Sequence, residues 1–329
     1  MIAKVQNYQW YPETLGEPSL PEDQQTTAYI EVPKIVTDDQ IRTYIDDGYL
    51  VVPKLVTNDE LDVLKADITK LARGEYPADN LQTLSAQTTD EEVVKHVLCI
   101  HNPHAISPVI LKYAIHSHIC GVLSQITAAH LAHWDGSVKL MQSIFFVKPP
   151  DFQGQAWHQD EVYIPTRDRS LIGAWIAIDD ANIDNGCLRV LPSSHRTGYL
   201  YPQRPHNRPD EFDLADESFG KFDESSEVPV EVKAGSVVFF NGHLLHRSYK
   251  NRSKVYRRAL VNHYMNAWSQ SPWRPQEGVK IAKTDFRAIT PVAGVDPYAW
   301  LGTDATPQEW IHIRLCQANE STLKPTTDA

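Results

Sequence analysis

The sequence predicts an α+β fold: a double-stranded β-helix of the jelly-roll or cupin-like kind, with a helical flank ahead of it. Helical periodicity with capping signals fills the first third of the chain. Beyond Gly136 the texture changes to short β-branched and aromatic runs separated by turn signals. No helical pattern intervenes between those runs, which points to antiparallel pairing in a sandwich or jelly roll rather than to βαβ units.

Residues 1–30 read as an irregular lead-in. Thr37-x-x-Gln40 has the form of a capping box and precedes Ile41, Tyr44 and Ile45 at helical spacing. A short extended piece, Gly48 to Pro53, follows. Thr57-x-x-Glu60 repeats the capping signal and opens an amphipathic helix with Leu61, Leu64, Ile68 and Leu71 on one stripe, closed by Gly74. Residues 75–90 are polar and loop-like. From Glu91 to about Thr127 the pattern is helical again, broken near Asn102-Pro103 and restarted at Ser107-Pro108. The histidines there (His101, His104, His116, His118) are expected to be ordinary helix residues.

The expected strands are Val138–Val147, Ala156–Tyr163, Leu171–Ile178, Cys187–Leu191, Val228–Val232, Ser236–Phe240 and Arg257–Tyr264. Between Tyr199 and Glu227 lies an insertion whose residues 210–227 hold eight acidic side chains and one lysine. It reads as a solvated surface loop or as a lid over a site. Residues 266–316 are rich in Trp and Pro, including Trp268, Trp273, Trp300 and Trp310. That segment is expected to pack across the barrel, close a pocket or make a dimer contact. The expected organisation is one domain over 1–329: a mainly helical flank (1–135), a β core (136–265) carrying the insertion 199–227, and a C-terminal extension (266–329).

With 42% hydrophobic and 22% charged residues the chain has the composition of a soluble globule. A formal net charge of −11 argues against a phosphate-backbone footprint, so no nucleic-acid partner is expected. No apolar run is long enough to span a bilayer and the first residues lack a secretory signature, so no membrane is expected and the cytoplasm is the expected location. Four scattered cysteines without a C-x-x-C pair argue against a disulfide framework or a structural zinc site. Both a monomer and a homodimer fit these bounds.

The candidate chemistry begins at Trp157-His158-Gln159-Asp160. Residues i and i+2 of an extended strand share a face, so His158 and Asp160 can converge on one metal. One imidazole and one carboxylate are two thirds of the facial triad that holds non-haem Fe(II). Among 14 histidines such a triplet carries little weight alone, and a second stands at His133-Trp134-Asp135 beside Gly136. The third ligand should be a histidine on a distant strand. His243 and His246 follow the run Val237–Phe240, and His246 is the better choice because Arg257 lies eleven residues on. A strand returning antiparallel to that of His246 would bring Arg257 close to the metal. Alternation sets Arg257, Ala259, Val261 and His263 on one face and Arg258, Leu260, Asn262 and Tyr264 on the other, and leaves open which face is inward. A guanidinium beside the metal suits a 2-oxo acid bound to Fe(II), whose far carboxylate would otherwise be an unpaired buried anion. Ser248 could add a hydroxyl donor.

His158-Gln159-Asp160, Asn185-Gly186-Cys187-Leu188, Leu191-Pro192-Ser193-Ser194-His195, the run from Gly235 through His246 to Ser248, and Arg257 together resemble the phytanoyl-CoA dioxygenase family. The resemblance covers roughly residues 48–265. It implies a double-stranded β-helix using Fe(II), 2-oxoglutarate and dioxygen to hydroxylate a small organic substrate, with release of succinate and carbon dioxide. By that resemblance His158, Asp160 and His246 are the metal ligands and catalytic centre. Arg257 and Ser248 hold the distal carboxylate of 2-oxoglutarate, and Gln159, Trp175, and Met141 or Gln142 line its pocket, with Lys148 a further candidate. Desaturation, epoxidation and ring closure would use the same residues. Halogenation is disfavoured, since related halogenases vacate the position that Asp160 fills. Where the family carries Pro-Gly-Ser-His, this chain has Pro192-Ser193-Ser194-His195. No basic surface stands out for a coenzyme A tail and the acidic insertion would repel one, so acyl-CoA is not the expected substrate. The rival readings are a cupin-like metal-dependent hydrolase or isomerase and a non-catalytic small-molecule-binding barrel. Neither needs Arg257.

Overall fold

The computed structural model describes residues 28–76, 88–95, 97–270, 289–301, 311 and 313–315. The flank comprises α1 (Asp38–Asp47), β1 (Tyr49–Val52), α2 (Asn58–Ala72), α3 (Asp90–Lys95), β2 (Val97–His101), α4 (Pro108–Ala114) and α5 (Ser117–Ile126). Both expected capping boxes form: Thr37 and Thr57 accept from the backbone N–H groups of Gln40 and Glu60, whose side chains reach back to the cap N–H groups. A third of the same kind, Thr89 with Glu92, opens α3. Such caps satisfy N–H groups that the first helical turn leaves without partners.

The α2 stripe is buried as its spacing predicts, with Leu61, Leu64, Ile68 and Leu71 each no more than 1% exposed. Burying each contributes roughly 1.5–3 kcal/mol, so this face rather than propensity docks the helix. Leu64→Ala would remove about 2–5 kcal/mol. The helical expectation from Glu91 onward fails at Val97–His101. That segment is β2, because it pairs with the long strand after Gly136 and its β-branched residues are buried there.

The core strands are β3 (Val138–Lys148), β4 (Gln155–His158), β5 (Ile172–Ala177), β6 (Leu188–Val190), β7 (Gln203–Arg204), β8 (Glu217–Ser218), β9 (Val228–Val230), β10 (Val237–Asn241), β11 (His246–Ser248) and β12 (Arg257–Asn266). β13 (Thr290–Ala293) and β14 (Ile313–Leu315) follow. All named pairings are antiparallel. The larger sheet runs β1-β10-β5-β12-β3-β2-β14, with β13 also on β3; the smaller runs β4-β11-β6-β9. This is the double-stranded β-helix, and the flank is not helical alone: β1 and β2 extend its larger sheet.

Alternation divides the larger sheet. Phe145, Val147, Ile176, Phe239, Leu260 and Tyr264 pack outward against the helices. Trp175, Val238, Phe240, Ala259 and Val261 point the other way and meet Leu188, Val190, Val230 and Val232 of the smaller sheet and its margin. The sheets therefore face each other, and the cavity described below lies between them. Ser193, at the position where the family motif has glycine, adopts a left-handed φ of 64°. Its N–H bonds Asp47 O at 2.9 Å and its hydroxyl bonds Asp46 O at 2.8 Å, contacts that offset the strain of a Cβ in that region.

The insertion packs against the barrel. Phe212 is 1% exposed, and β7 pairs with β8. Glu224 and Glu227 form ion pairs with Arg247 of β11. In the C-terminal extension Trp268 is exposed and donates to Asp135 at 3.0 Å. Trp300 is half exposed, while Trp273 and Trp310 lie outside the described residues.

Candidate metal centre

β4 and β11 are neighbours, and their register sets His246 directly opposite His158. Strand β4 ends at His158, earlier than expected. Gln159 stays extended (φ −130°, ψ 124°) and Asp160 then opens a short 3-10 turn to Val162. One extended residue suffices to return Asp160 to the face of His158. Asp160 Oδ1 is 3.7 Å from Nε2 of both His158 and His246. One donor atom from each residue falls within 4.8 Å of the others. The imidazoles are oriented by backbone: His158 Nδ1 bonds Ala156 O at 2.8 Å and His246 Nδ1 bonds Leu244 O at 2.9 Å. A carbonyl accepts only, so each Nδ1 carries the proton and each Nε2 presents its lone pair to the common point. These residues fit a divalent metal of the non-haem iron type.

Burial, then His246, pushes His158 down to about 4, so its ligating nitrogen is unprotonated at neutral pH. Burial opposes ionisation of Asp160, but His246, a hydrogen bond from His263 and His158 outweigh it and hold the carboxyl well below the usual range. His263 Nε2 donates to Asp160 Oδ2 at 2.9 Å.

The cluster opens into a cavity of about 330 Å3 between the sheets. Arg257 and Lys148, directly paired across β12 and β3, both line it. Arg257 is 5% exposed, its guanidinium 5.5 Å from the centre of the Trp175 ring, and its buried Nε has no hydrogen-bond partner. Burial pushes it down to about 10. Lys148, also 5% exposed, is lowered well below the usual lysine value, first by burial and then by Arg257. Its Nζ donates to Ser248 Oγ at 2.8 Å and Tyr249 O at 2.7 Å. Among the described residues no carboxylate lies within ion-pair distance of Arg257 or Lys148. A buried guanidinium with a buried amine beside it makes a receptor for an anion, whose charge would favour the protonated amine.

Of the residues expected at this site, His158, Asp160, His246, Arg257, Ser248, Trp175 and Gln142 line one cavity. Two do not. Gln159 is fully buried away from the cavity: its amide N–H groups donate to Tyr199 O (2.9 Å) and His243 O (2.7 Å), and its oxygen accepts from Tyr201 N (2.8 Å). As i+1 of a strand it must face opposite to its neighbours, and it staples the insertion to the loop before β11. Met141 packs with Ile164, Leu171 and Met265 instead, beside a β-bulge opposite His263 and Tyr264. Arg257 also arrives by another route than expected. β11 and β12 lie in opposite sheets, and Arg257 reaches across the gap. Arg258, on the outer face, pairs with Asp179 at 2.7 Å.

His263 and Asp213 also line the cavity and were not proposed for the site, and His101, expected as an ordinary helix residue, instead ends strand β2 and lines the cavity too. For His263 the signal was present, since it shares a β12 face with Arg257. His243 and His195 make structural contacts, with Glu161 Oε2 at 3.5 Å and Ile45 O at 3.0 Å respectively. His133-x-Asp135 forms no metal cluster among the described residues; Asp135 caps Ser137 N at 2.9 Å.

Comparison with known proteins identifies the family. The family model for phytanoyl-CoA dioxygenase (PhyH) matches residues 44–259. Phytanoyl-CoA dioxygenase 1 of Oryza sativa subsp. japonica is 32% identical over 179 residues, which is 53% of this chain and 60% of the rice protein. Among solved structures, the non-haem α-ketoglutarate-dependent carbocyclase SnoK from nogalamycin biosynthesis shares 21% identity and a TM-score of 0.53, covering 74% of this chain and 89% of SnoK. EvdO2 from Micromonospora carbonacea var. aurantiaca, complexed with 2-oxoglutarate, shares 19% and 0.54, covering 75% and 97%. These likenesses show a common fold.

Proposed function

The chain belongs to the phytanoyl-CoA dioxygenase family, and from that premise we propose that it is an Fe(II)- and 2-oxoglutarate-dependent dioxygenase. In this reading it hydroxylates a C–H bond of a small organic molecule and releases succinate and carbon dioxide. One observation carries the proposal: the His158, Asp160 and His246 cluster shares its cavity with Arg257, a buried guanidinium with no carboxylate among the described residues to pair with. When bound, iron with 2-oxoglutarate and dioxygen supplies the oxidising chemistry, which no protein side chain can.

The chain's own residues bind and orient. The carbonyls of Ala156 and Leu244 fix the tautomers of His158 and His246. Arg257 offers its planar fork to the distal carboxylate of 2-oxoglutarate. The Ser248 oxygen already accepts from Lys148 Nζ and, at 3.4 Å, from Gln155 N. Its hydroxyl proton is thus left to donate to the same carboxylate. Trp175 packs on Arg257, and Phe240 packs on His246 with ring centres 4.7 Å apart, so apolar walls keep bulk water from both groups.

A cavity of about 330 Å3 must hold co-substrate and substrate together, which suits a small molecule better than a long acyl chain. A cupin-like hydrolase would have no use for the Arg257 and Lys148 pair. The cytoplasm is part of the same proposal, supported by three described cysteines that are buried free thiols. Among the described residues no helix is long and apolar enough to cross a membrane. The test is succinate formation from 2-oxoglutarate with Fe(II) and ascorbate over a panel of small substrates, abolished by Asp160→Ala. No turnover together with no 2-oxoglutarate binding by calorimetry would overturn the reading.

A further inference from the structure

Five acidic or basic side chains other than histidine line the cavity: Lys148, Asp160, Asp213, Arg247 and Arg257. Four are accounted for. Asp160 belongs to the metal cluster, and Lys148 and Arg257 form the anion receptor. Arg247 is neutralised by Glu224 at 3.0 Å and by Glu227. Asp213 is left over. Among the described residues no cation lies within ion-pair distance of it, and its Oδ1 accepts from Ala215 N at 3.0 Å.

Its position is built, although it comes from the insertion. Asp213 N bonds Gly154 O and Gly154 N bonds Glu211 O, both at 2.8 Å, so the insertion is laced to the residue just before β4. Phe212 is buried and stacks on Tyr249 at 5.8 Å and 23°. Glu211 pairs with Arg252. Opposite charge would come from whatever fills the cavity. On the same wall stands Tyr163, 41% exposed, its hydroxyl held by Gln203 Nε2 at 2.6 Å. Its phenol is raised first by burial, with Asp160, Asp216 and Asp213 adding to the effect, so the ring lies within the field of both the metal ligand and Asp213.

We propose that the substrate carries a cationic nitrogen, an ammonium or guanidinium group, seated between the Asp213 carboxylate and the Tyr163 ring. The inference rests on the oxygenase reading and names the substrate class for that site. A substrate that displaces water from Asp213 must either pair with it or leave a desolvated anion behind. A neutral isostere therefore loses affinity, an anion is repelled, and an aromatic face beside the carboxylate adds cation–π attraction. The lining side chains then sort their ligands by sign: Arg257 and Lys148 take the dicarboxylate, Asp213 the cation.

The test uses the full chain with Fe(II) under anaerobic conditions. Uptake of 2-oxoglutarate by the wild type is measured first by calorimetry; its absence sinks the oxygenase reading. The loaded protein is then titrated with agmatine, n-pentylammonium, 1-pentanol and pentanoate, followed by ligand-observed NMR. Agmatine and pentylammonium are expected to bind, with pentanol at least about tenfold weaker and pentanoate weaker still. Asp213→Asn should weaken the amines by about tenfold, and Asp213→Lys should turn the preference to pentanoate. Equal binding of amine and alcohol, or amine binding indifferent to Asp213→Asn and Asp213→Lys, overturns the cationic-substrate inference while leaving the oxygenase reading intact.

Discussion

His263 donates its Nε2–H to Oδ2 of Asp160 at 2.9 Å, while Oδ1 of the same carboxylate faces Nε2 of His158 and His246 at 3.7 Å. The two oxygens thus divide their work: one is tied to the larger sheet, the other turned to the metal position. A partner that orients a ligating carboxylate typically governs metal affinity 10–100-fold. His263→Leu is expected to weaken Fe(II) or Mn(II) binding by about that factor without unfolding the chain, and His263→Gln, which keeps an N–H donor, to recover part of it. Metal titration of the three proteins by calorimetry checks this. Equal affinities would remove His263 from the site.

Arg257 and Arg258 are adjacent but face opposite sides of β12, which makes them a matched pair of probes. Arg257→Leu is expected to weaken 2-oxoglutarate by at least about a hundredfold, since a buried charge-assisted bidentate contact is lost. Arg258→Leu should leave 2-oxoglutarate affinity unchanged and cost roughly 1 kcal/mol of stability through the lost Asp179 pair. Lys148→Met should fall between, because it frees the Ser248 hydroxyl to rotate. Calorimetric titration of each variant with 2-oxoglutarate decides the order.

Acid should loosen the metal-free protein through buried imidazoles. Burial first, and then His246, pushes His158 down to about 4; burial pushes His243 to about 4 as well. Between the ordinary value of 6.5 and about 4 the unfolded chain binds protons that the folded chain refuses, so stability falls as pH drops through that window. The slope is at most about 1.4 kcal/mol per pH unit for each group. Glu161, raised by burial to about 7, works the other way: the folded chain keeps its proton there and stability falls as pH rises from 4.5 to 7. His243→Gln should therefore flatten the acid-side loss and Glu161→Gln should steepen it, read from urea unfolding at pH 7, 6 and 5.

Gly154 carries the insertion's contact and has no room for a side chain. A Cβ there would stand 1.8 Å from Ser248 O. Gly154→Ala is expected to cost about 1–3 kcal/mol as β4 and β11 separate. It should also weaken 2-oxoglutarate, since Ser248 moves with its carbonyl. A variant with wild-type unfolding and wild-type co-substrate affinity would contradict the close approach.

Removing the metal is the broadest test. If His158, Asp160 and His246 bind it only when folded, then metal at a hundred times its Kd stabilises the chain by about 2.7 kcal/mol. A chelator should lower the melting temperature of the wild type and leave that of Asp160→Ala unmoved.

What the sequence by itself determined were the features governed by local rules. Thr37, Thr57 and Ser107 cap helices because their hydroxyls meet N–H groups three residues on. His158 and Asp160 share a face because the residue between them is extended. The choice of His246 over His243 and of Arg257 over Arg258 also agrees with which of them line the cavity. Tertiary structure decided what no short window contains. β12 is buried on nearly every residue, so its alternation offered no contrast from which to read the inward face. Only the opposition of two sheets turns Arg257, Val261 and His263 together toward the metal ligands and sends Arg258 outward. Gln159 was misjudged for the complementary reason, since a place in a motif does not fix which way a side chain points, whereas the strand's period of two does. Asp213, one acid among eight in a segment without periodicity, acquired its place in the cavity from Gly154 and Phe212, contacts made across about sixty residues of chain or within a fold already formed. Dihedral preferences and capping act over a few residues and are written in the sequence; which faces meet depends on pairings between distant strands, and those are fixed only when the core closes.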